Sequence, residues 1–86
     1  MAAYSLFFKD SVRKDLDSIA KKDLRRIMER IESLAANPLP LGCEKLSGQE
    51  KYRLRQGDYR IIYWIQDTQL TVWVVTVGHR REIYRT

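Results

Sequence analysis

Residues 51–64 read KYRLRQGDYRIIYW and set Arg53, Arg55 and Arg60 inside a stretch otherwise patterned for a protein core. Guanidinium groups keep their charge and are seldom buried without partners, so three of them on one sheet face either water or an anion. The C-terminal stretch VGHRREIYRT adds His79, Arg80, Arg81, Tyr84 and Arg85. His79 is the only histidine and hence the one side chain of a type that ordinarily titrates near neutrality. A lone histidine beside arginines is also a common structural or surface residue. Tyr84 ordinarily ionises near pH ~10, and neighbouring positive charge lowers that value, the setting in which a tyrosinate acts as a base.

The elements that must carry these residues follow from periodicity. Tyr4 to Phe8 (YSLFF) is short, apolar and aromatic, which favours a strand. Asp10 and Ser11 offer N-cap side chains for a first helix with Val12, Leu16 and Ile19 on its apolar face. A polar break, KKD, precedes a second helix whose stripe is Leu24, Ile27, Met28, Ile31, Leu34 and Ala35, with Arg25, Arg26, Glu29, Arg30 and Glu32 opposite. NPLPLG ends that helix, and the period then changes to two. Strands are expected at about Lys51–Gln56, Tyr59–Gln66 and Leu70–Val77, joined by two-residue turns at Gly57-Asp58 and Asp67-Thr68. The expected fold class is α+β, in the order β-α-α-β-β-β, with a helical hairpin on one face of a small, mostly antiparallel sheet.

With two-residue turns, Arg55 lies opposite Arg60, Arg53 opposite Ile62, Trp73 opposite Ile62 and Trp64 opposite Thr71. Strict alternation then gathers Tyr52, Leu54, Ile61, Tyr63, Ile65, Leu70, Val72 and Val74 on the face the helices cover. Arg53, Arg55, Arg60, Ile62, Trp64, Trp73 and Val75 share the other. Directly opposed like charges destabilise a strand pair, so this arrangement costs stability unless an anion sits between them. The arginine stems can instead lie over the sheet with their heads in water. Trp64 and Trp73 either cap the open face or offer stacking surfaces for bases, as in proteins that bind single-stranded RNA.

The bulk numbers agree with one small domain spanning residues 1–86. Hydrophobic residues make up 44% and charged residues 31%. A chain of this size hides roughly 60–65% of its unfolded surface, so it is modestly stabilised. No apolar run approaches the ~20 residues of a membrane span, the N-terminus lacks a basic n-region, and a single cysteine, Cys43, excludes an internal disulfide framework. A cytoplasmic location is expected. The net charge of +5 is uneven: residues 1–50 carry nine Lys/Arg against eight Asp/Glu, and residues 51–86 seven against three. Such an excess suits a polyanionic partner or simply a solubilising surface.

Leu46-Ser47-Gly48, Tyr52-Arg53-Leu54-Arg55, Gly57-Asp58-Tyr59-Arg60-Ile61-Ile62-Tyr63, Val77-Gly78-His79-Arg80 and Ile83-Tyr84-Arg85, in this order and spacing, resemble the RelE branch of the RelE/ParE toxin superfamily. The resemblance runs from about Tyr4 to the end of the chain. It implies a fold of two helices against a small twisted sheet, and the toxin of a type II toxin–antitoxin pair. The activity implied is ribosome-dependent cleavage of mRNA in the A site, without metal or cofactor: the ribose 2′-OH attacks the adjacent phosphate and leaves a 2′,3′-cyclic phosphate. Tyr84 matches the candidate base and Arg80 the group that holds the phosphate. Arg53, Arg55 and Arg60 match residues that stabilise charge. Some members carry lysine where this chain has Arg53 and Arg55, and arginine cannot serve as a neutral base; His79 is then a candidate proton donor or acceptor. With Trp64 and Trp73, Arg81 and Arg85 are candidate RNA-binding residues. Implied partners are a cognate antitoxin, the ribosome and mRNA, with no membrane and no small-molecule cofactor. With two residues after Tyr84, regulation by direct occlusion is expected rather than through a C-terminal helix.

Two other readings stand beside this one. A ParE-type toxin binds and inhibits DNA gyrase without catalysis, and that branch generally lacks the full basic-plus-tyrosine set. A non-toxic binding module of the same fold acts only through a partner.

Overall fold

The computed structural model describes residues 3–46 and 50–79. In chain order these form β1 (Ser5–Phe8), α1 (Asp10–Asp17), α2 (Lys21–Ser33), β2 (Glu44–Lys45), β3 (Lys51–Gln56), β4 (Tyr59–Gln66), a single 3-10 turn (Asp67–Gln69) and β5 (Thr71–His79). The sheet order is β1-β5-β4-β3-β2, parallel between β1 and β5 and antiparallel elsewhere. The α+β architecture is the expected one, with the two-residue β2 added at the edge.

The helices lie where their apolar stripes demand. Ile27, Ile31 and Leu34 from α2 and its C-cap, and Val12 from α1, are fully buried against Leu54, Ile61, Tyr63, Ile65, Val72, Val74 and Val77 of the sheet. Each such side chain contributes about 1.5–3 kcal/mol relative to exposure, so this face of the sheet holds most of the fold's stabilisation. Two helix boundaries differ from expectation. Lys9, not Asp10 or Ser11, stands at the N-cap of α1 without a side-chain capping bond. KKD is the first turn of α2, after an N-cap at Ala20, and the break falls at 18–20. Ile19 sits in that break rather than in α1, yet it still packs into the core.

The hairpin at Gly57-Asp58 forms as expected. Gly57 takes φ +61°, a conformation that glycine adopts without steric cost at the first central position of a two-residue turn. The β4–β5 connection does not. Asp67–Gln69 make a 3-10 turn and Leu70 takes a left-handed φ of 49°, so four residues, not two, separate the last paired residues Gln66 and Thr71. Leu70 therefore lies outside the strand and is exposed. Tyr4 Oη donates to Asp67 Oδ1 at 2.6 Å, tying this turn to the chain entering β1.

The pairing of β4 with β5 also shifts between Ile62 and Tyr63: Tyr63 lies opposite Val74, and Ile62 opposite Thr76. Val75 is the extra residue of this bulge, and every later residue of β5 changes face. The bulge falls directly past the end of β1, where Lys9 N–H donates to the Val74 carbonyl at 2.9 Å. Beyond that point α1 replaces the strand, and Asp15 Oδ2 accepts the Val77 N–H at 3.1 Å. Removing that acceptor leaves a backbone donor with less than it needs, at about 1–3 kcal/mol. Asp15→Ala is expected to lower the urea midpoint by a corresponding amount with an unchanged m-value.

Candidate nucleic-acid interface

The face turned away from the helices consists of cross-strand rows. In the first, Arg55 lies opposite Arg60, and Arg60 opposite Gly78. The second runs Glu44, Arg53, Ile62, Thr76. The third runs Lys51, Trp64, Trp73, Phe7. Two residues of strand rise separate successive rows, so roughly 13 Å spans the three.

Arg53, Arg55 and Arg60 thus share one face, as alternation requires. Their surroundings differ. Arg55 is exposed. Arg60 is only 2% exposed. Arg53 is bridged by its Nη2 to Glu44 Oε2 at 3.1 Å, across the β2–β3 pair. An exposed carboxylate of this kind contributes little to stability. It does neutralise one guanidinium of the face, and an incoming phosphate can displace it.

Trp64 and Trp73 are directly opposed, two residues out of the simple-hairpin register, because the longer β4–β5 turn slides β5 by two. A slide of two preserves faces, so both indoles remain on the open side. Phe7 stacks on Trp73 with ring centroids 5.0 Å apart and planes at 24°. Lys51 Nζ stands 5.5 Å from the Trp64 ring centroid, a cation–π contact. An open groove of about 360 Å³ is lined by Trp64, Trp73, Val75, Gln66 and Lys9.

His79 does not share the face of Arg53, Arg55 and Arg60. The bulge at Val75 turns Gly78 to the open face and His79 to the other, opposite Tyr59, whose ring it meets edge-on at 5.6 Å. Uninterrupted alternation from Trp73 would have placed it beside Arg60. Arg80, Arg81, Tyr84 and Arg85 lie outside the described residues. Among the described residues no three His, Cys, Asp or Glu side chains come together as metal ligands. Among them, too, no helix is long and apolar enough to cross a membrane.

Sequence reasoning missed Phe7, Lys9, Glu44 and Lys51. Lys51 was within reach, since it alternates with Arg53 and Arg55. Phe7 required the parallel β1–β5 pairing, and Glu44 a strand of two residues; neither leaves a local signal.

The fold agrees with that of known proteins. The family described as ParE toxin of type II toxin–antitoxin system, parDE, matches residues 6–84. Toxin RelG of Mycobacterium tuberculosis is 33% identical over 86 residues, 95% of this chain and 97% of that protein. Among solved structures, the toxin–antitoxin complex RelBE2 from Mycobacterium tuberculosis superposes with a TM-score of 0.81 at 28% identity, covering 92% of this chain and all of that one (100%). The RelB–RelE complex from Methanococcus jannaschii does so with 0.77 at 30% identity, over 92% and 95% of the two chains. The chain belongs to the ParE-toxin family of type II toxin–antitoxin systems, within the RelE/ParE superfamily, and its structural neighbours are RelE toxins.

Proposed function

We propose that this toxin is a RelE-type endoribonuclease that cleaves mRNA in the ribosomal A site. The observation that supports this reading best is the row Arg55–Arg60–Gly78: an exposed arginine directly opposite a buried one on the side of the sheet away from the helices, two residues of chain before Arg80. Like charges placed opposite one another gain from an anion set beside them. A scissile phosphate is that anion. Phosphodiester cleavage by the neighbouring 2′-OH passes through a phosphorane carrying extra negative charge, which fixed cations stabilise more than they do the ground state.

In this reaction Tyr84 removes the 2′-OH proton, the 2′-oxygen forms its bond to phosphorus, and the bond to the 5′-oxygen breaks. The products are a 2′,3′-cyclic phosphate and a 5′-hydroxyl end. Arg80 holds the phosphate and hydrogen-bonds the departing 5′-oxygen, which takes its proton from water. Arg53, Arg55 and Arg60 stabilise the developing charge, with Arg53 exchanging Glu44 for phosphate. His79, on the helix side of the sheet, is left out of the proton transfers. No step calls on a metal ion. The cognate partner is an antitoxin, as in the RelB–RelE complexes that this fold resembles, and an acidic segment laid over the arginine rows would occlude the site.

Primer extension on a defined mRNA, naked and held in programmed ribosomes, tests the proposal. New 3′ ends within the A-site codon, seen only with ribosomes, are the expected result. Intact mRNA together with inhibited gyrase supercoiling would replace it with the ParE-type reading, in which the arginine face docks a protein.

A further inference from the structure

The open face ends in a second feature, away from the Arg55–Arg60 row. We infer that the row Phe7, Trp73, Trp64, Lys51, with Lys9 beside it, is a stacking platform for bases of single-stranded RNA, seating nucleotides that flank the phosphate held by the arginines. The inference deepens the nuclease proposal and rests on its reading of the arginine rows as a phosphate site.

The platform has the composition that sequence-tolerant binding of single strands requires, π-faces for bases interleaved with cations for the backbone. Trp64 is 39% and Phe7 46% exposed, large apolar areas to leave in water on a sheet face that no helix covers among the described residues. The two indoles sit on opposed residues, yet the ring that stacks on Trp73 is Phe7, and the charge over Trp64 is Lys51. The groove lined by both indoles measures about 360 Å³, within the size range of small-ligand sites. Val75, set out of register by the bulge, lines the same groove, so the distortion that removes His79 from the arginine face also shapes this one.

Charge selects the occupant. Lys9 and Lys51 flank the aromatic row, Arg53 and Arg55 follow in the next rows of the same face, and the carboxylate bridged to these cations among the described residues is Glu44. An apolar protein segment would leave these cations uncompensated. A nucleic-acid strand uses both halves of the surface, phosphates on the cations and bases on the rings. Two rows of strand rise, roughly 13 Å, separate platform from Arg55–Arg60, so one short strand can reach both.

Both tryptophans of the chain lie in this groove, which makes intrinsic fluorescence a direct reporter. The test compares an uncleavable 2′-O-methyl hexauridylate with an abasic 2′-O-methyl hexamer of equal phosphate count, over a series of salt concentrations. The base-bearing strand is expected to quench the indoles and to bind roughly 5- to 150-fold tighter. Trp64→Ala should bring that ratio close to one without altering the salt slope. Arg55→Gln should keep the ratio and reduce the slope by roughly 0.7. Equal affinity for the two strands, or indoles unperturbed by either, overturns the platform and leaves the aromatic row as a surface for a protein partner. Neither strand can be cleaved, so a retained ratio in a protein that cuts no mRNA would sink the nuclease reading alone.

Discussion

Arg55→Gln is expected to slow mRNA cleavage by about 10²–10³-fold while leaving the protein as stable as before or slightly more so. The first part follows from losing one preorganised charge aimed at the phosphorane. The second follows from geometry: Arg55 is exposed and directly opposite Arg60, and removing one of two opposed like charges relieves about 0.2–1 kcal/mol. A variant that loses activity by misfolding would move both quantities the same way, so the opposed signs identify a charge kept for chemistry. Tyr84→Phe, which deletes the proposed base, should cost about 10²–10⁴-fold. If both residues serve one transition state, the double variant should fall well short of the product of the two effects. Single-turnover cleavage on programmed ribosomes, read beside urea melts of the same samples, checks all three variants. Cleavage by Arg55→Gln at the wild-type rate would remove this row from the active site.

The second large effect concerns Tyr63, the anchor of the opposite face. Its side chain is fully buried, and its hydroxyl donates to the Pro38 carbonyl at 2.8 Å, pinning the loop after α2 to the sheet. Tyr63→Ala should cost about 3–5 kcal/mol, much of the roughly 5–15 kcal/mol that holds a domain together. Tyr63→Phe keeps the packing and loses the hydrogen bond, at about 1–2 kcal/mol. Burial raises the phenol's pKa well above its ordinary value of 10.0. The unfolded chain therefore releases this proton at lower pH than the folded one. The stabilisation is fully present below pH 10 and declines above it, by about 1.4 kcal/mol per pH unit from this group. Tyr63→Phe lacks that decline, so the stability curves of wild type and variant should converge as pH rises past 10, and curves that stay parallel would contradict the assignment. Tyr4 and Tyr52 are also shifted upward, Tyr4 chiefly by its hydrogen bond to Asp67 and Tyr52 chiefly by burial, and they affect both proteins alike.

The same two faces show what was legible in advance. Arg53, Arg55 and Arg60 could be placed together, and Leu54, Ile61 and Tyr63 under the helices, because alternation along a strand is a local property of the backbone. The Gly57-Asp58 turn fixed their register, since glycine at the first central position and apolar residues on one face admit no other pairing. The stripe of α2 was equally plain: its residues repeat at the helical period, and Ile27, Ile31 and Leu34 are buried. At the β4–β5 turn local information failed. Sliding β5 by two residues leaves every side chain on the same face, so the hydrophobic pattern cannot choose between registers, and Leu70 in a left-handed conformation carries no compositional signal.

By itself, then, the sequence determined the element types, the apolar face, the convergence of three arginines on the other, and membership in a toxin family. Only the tertiary structure decided that His79 does not share the face of those arginines and that Trp64 and Trp73 face one another with Phe7 and Lys51 in the same row. The reason lies in β1 and α1, neighbours of β5 in space but distant in sequence. β1 pairs with β5 as far as Val74, Asp15 then takes the Val77 N–H, and the strand bulges at Val75 between these two attachments, reversing the faces of the residues that follow.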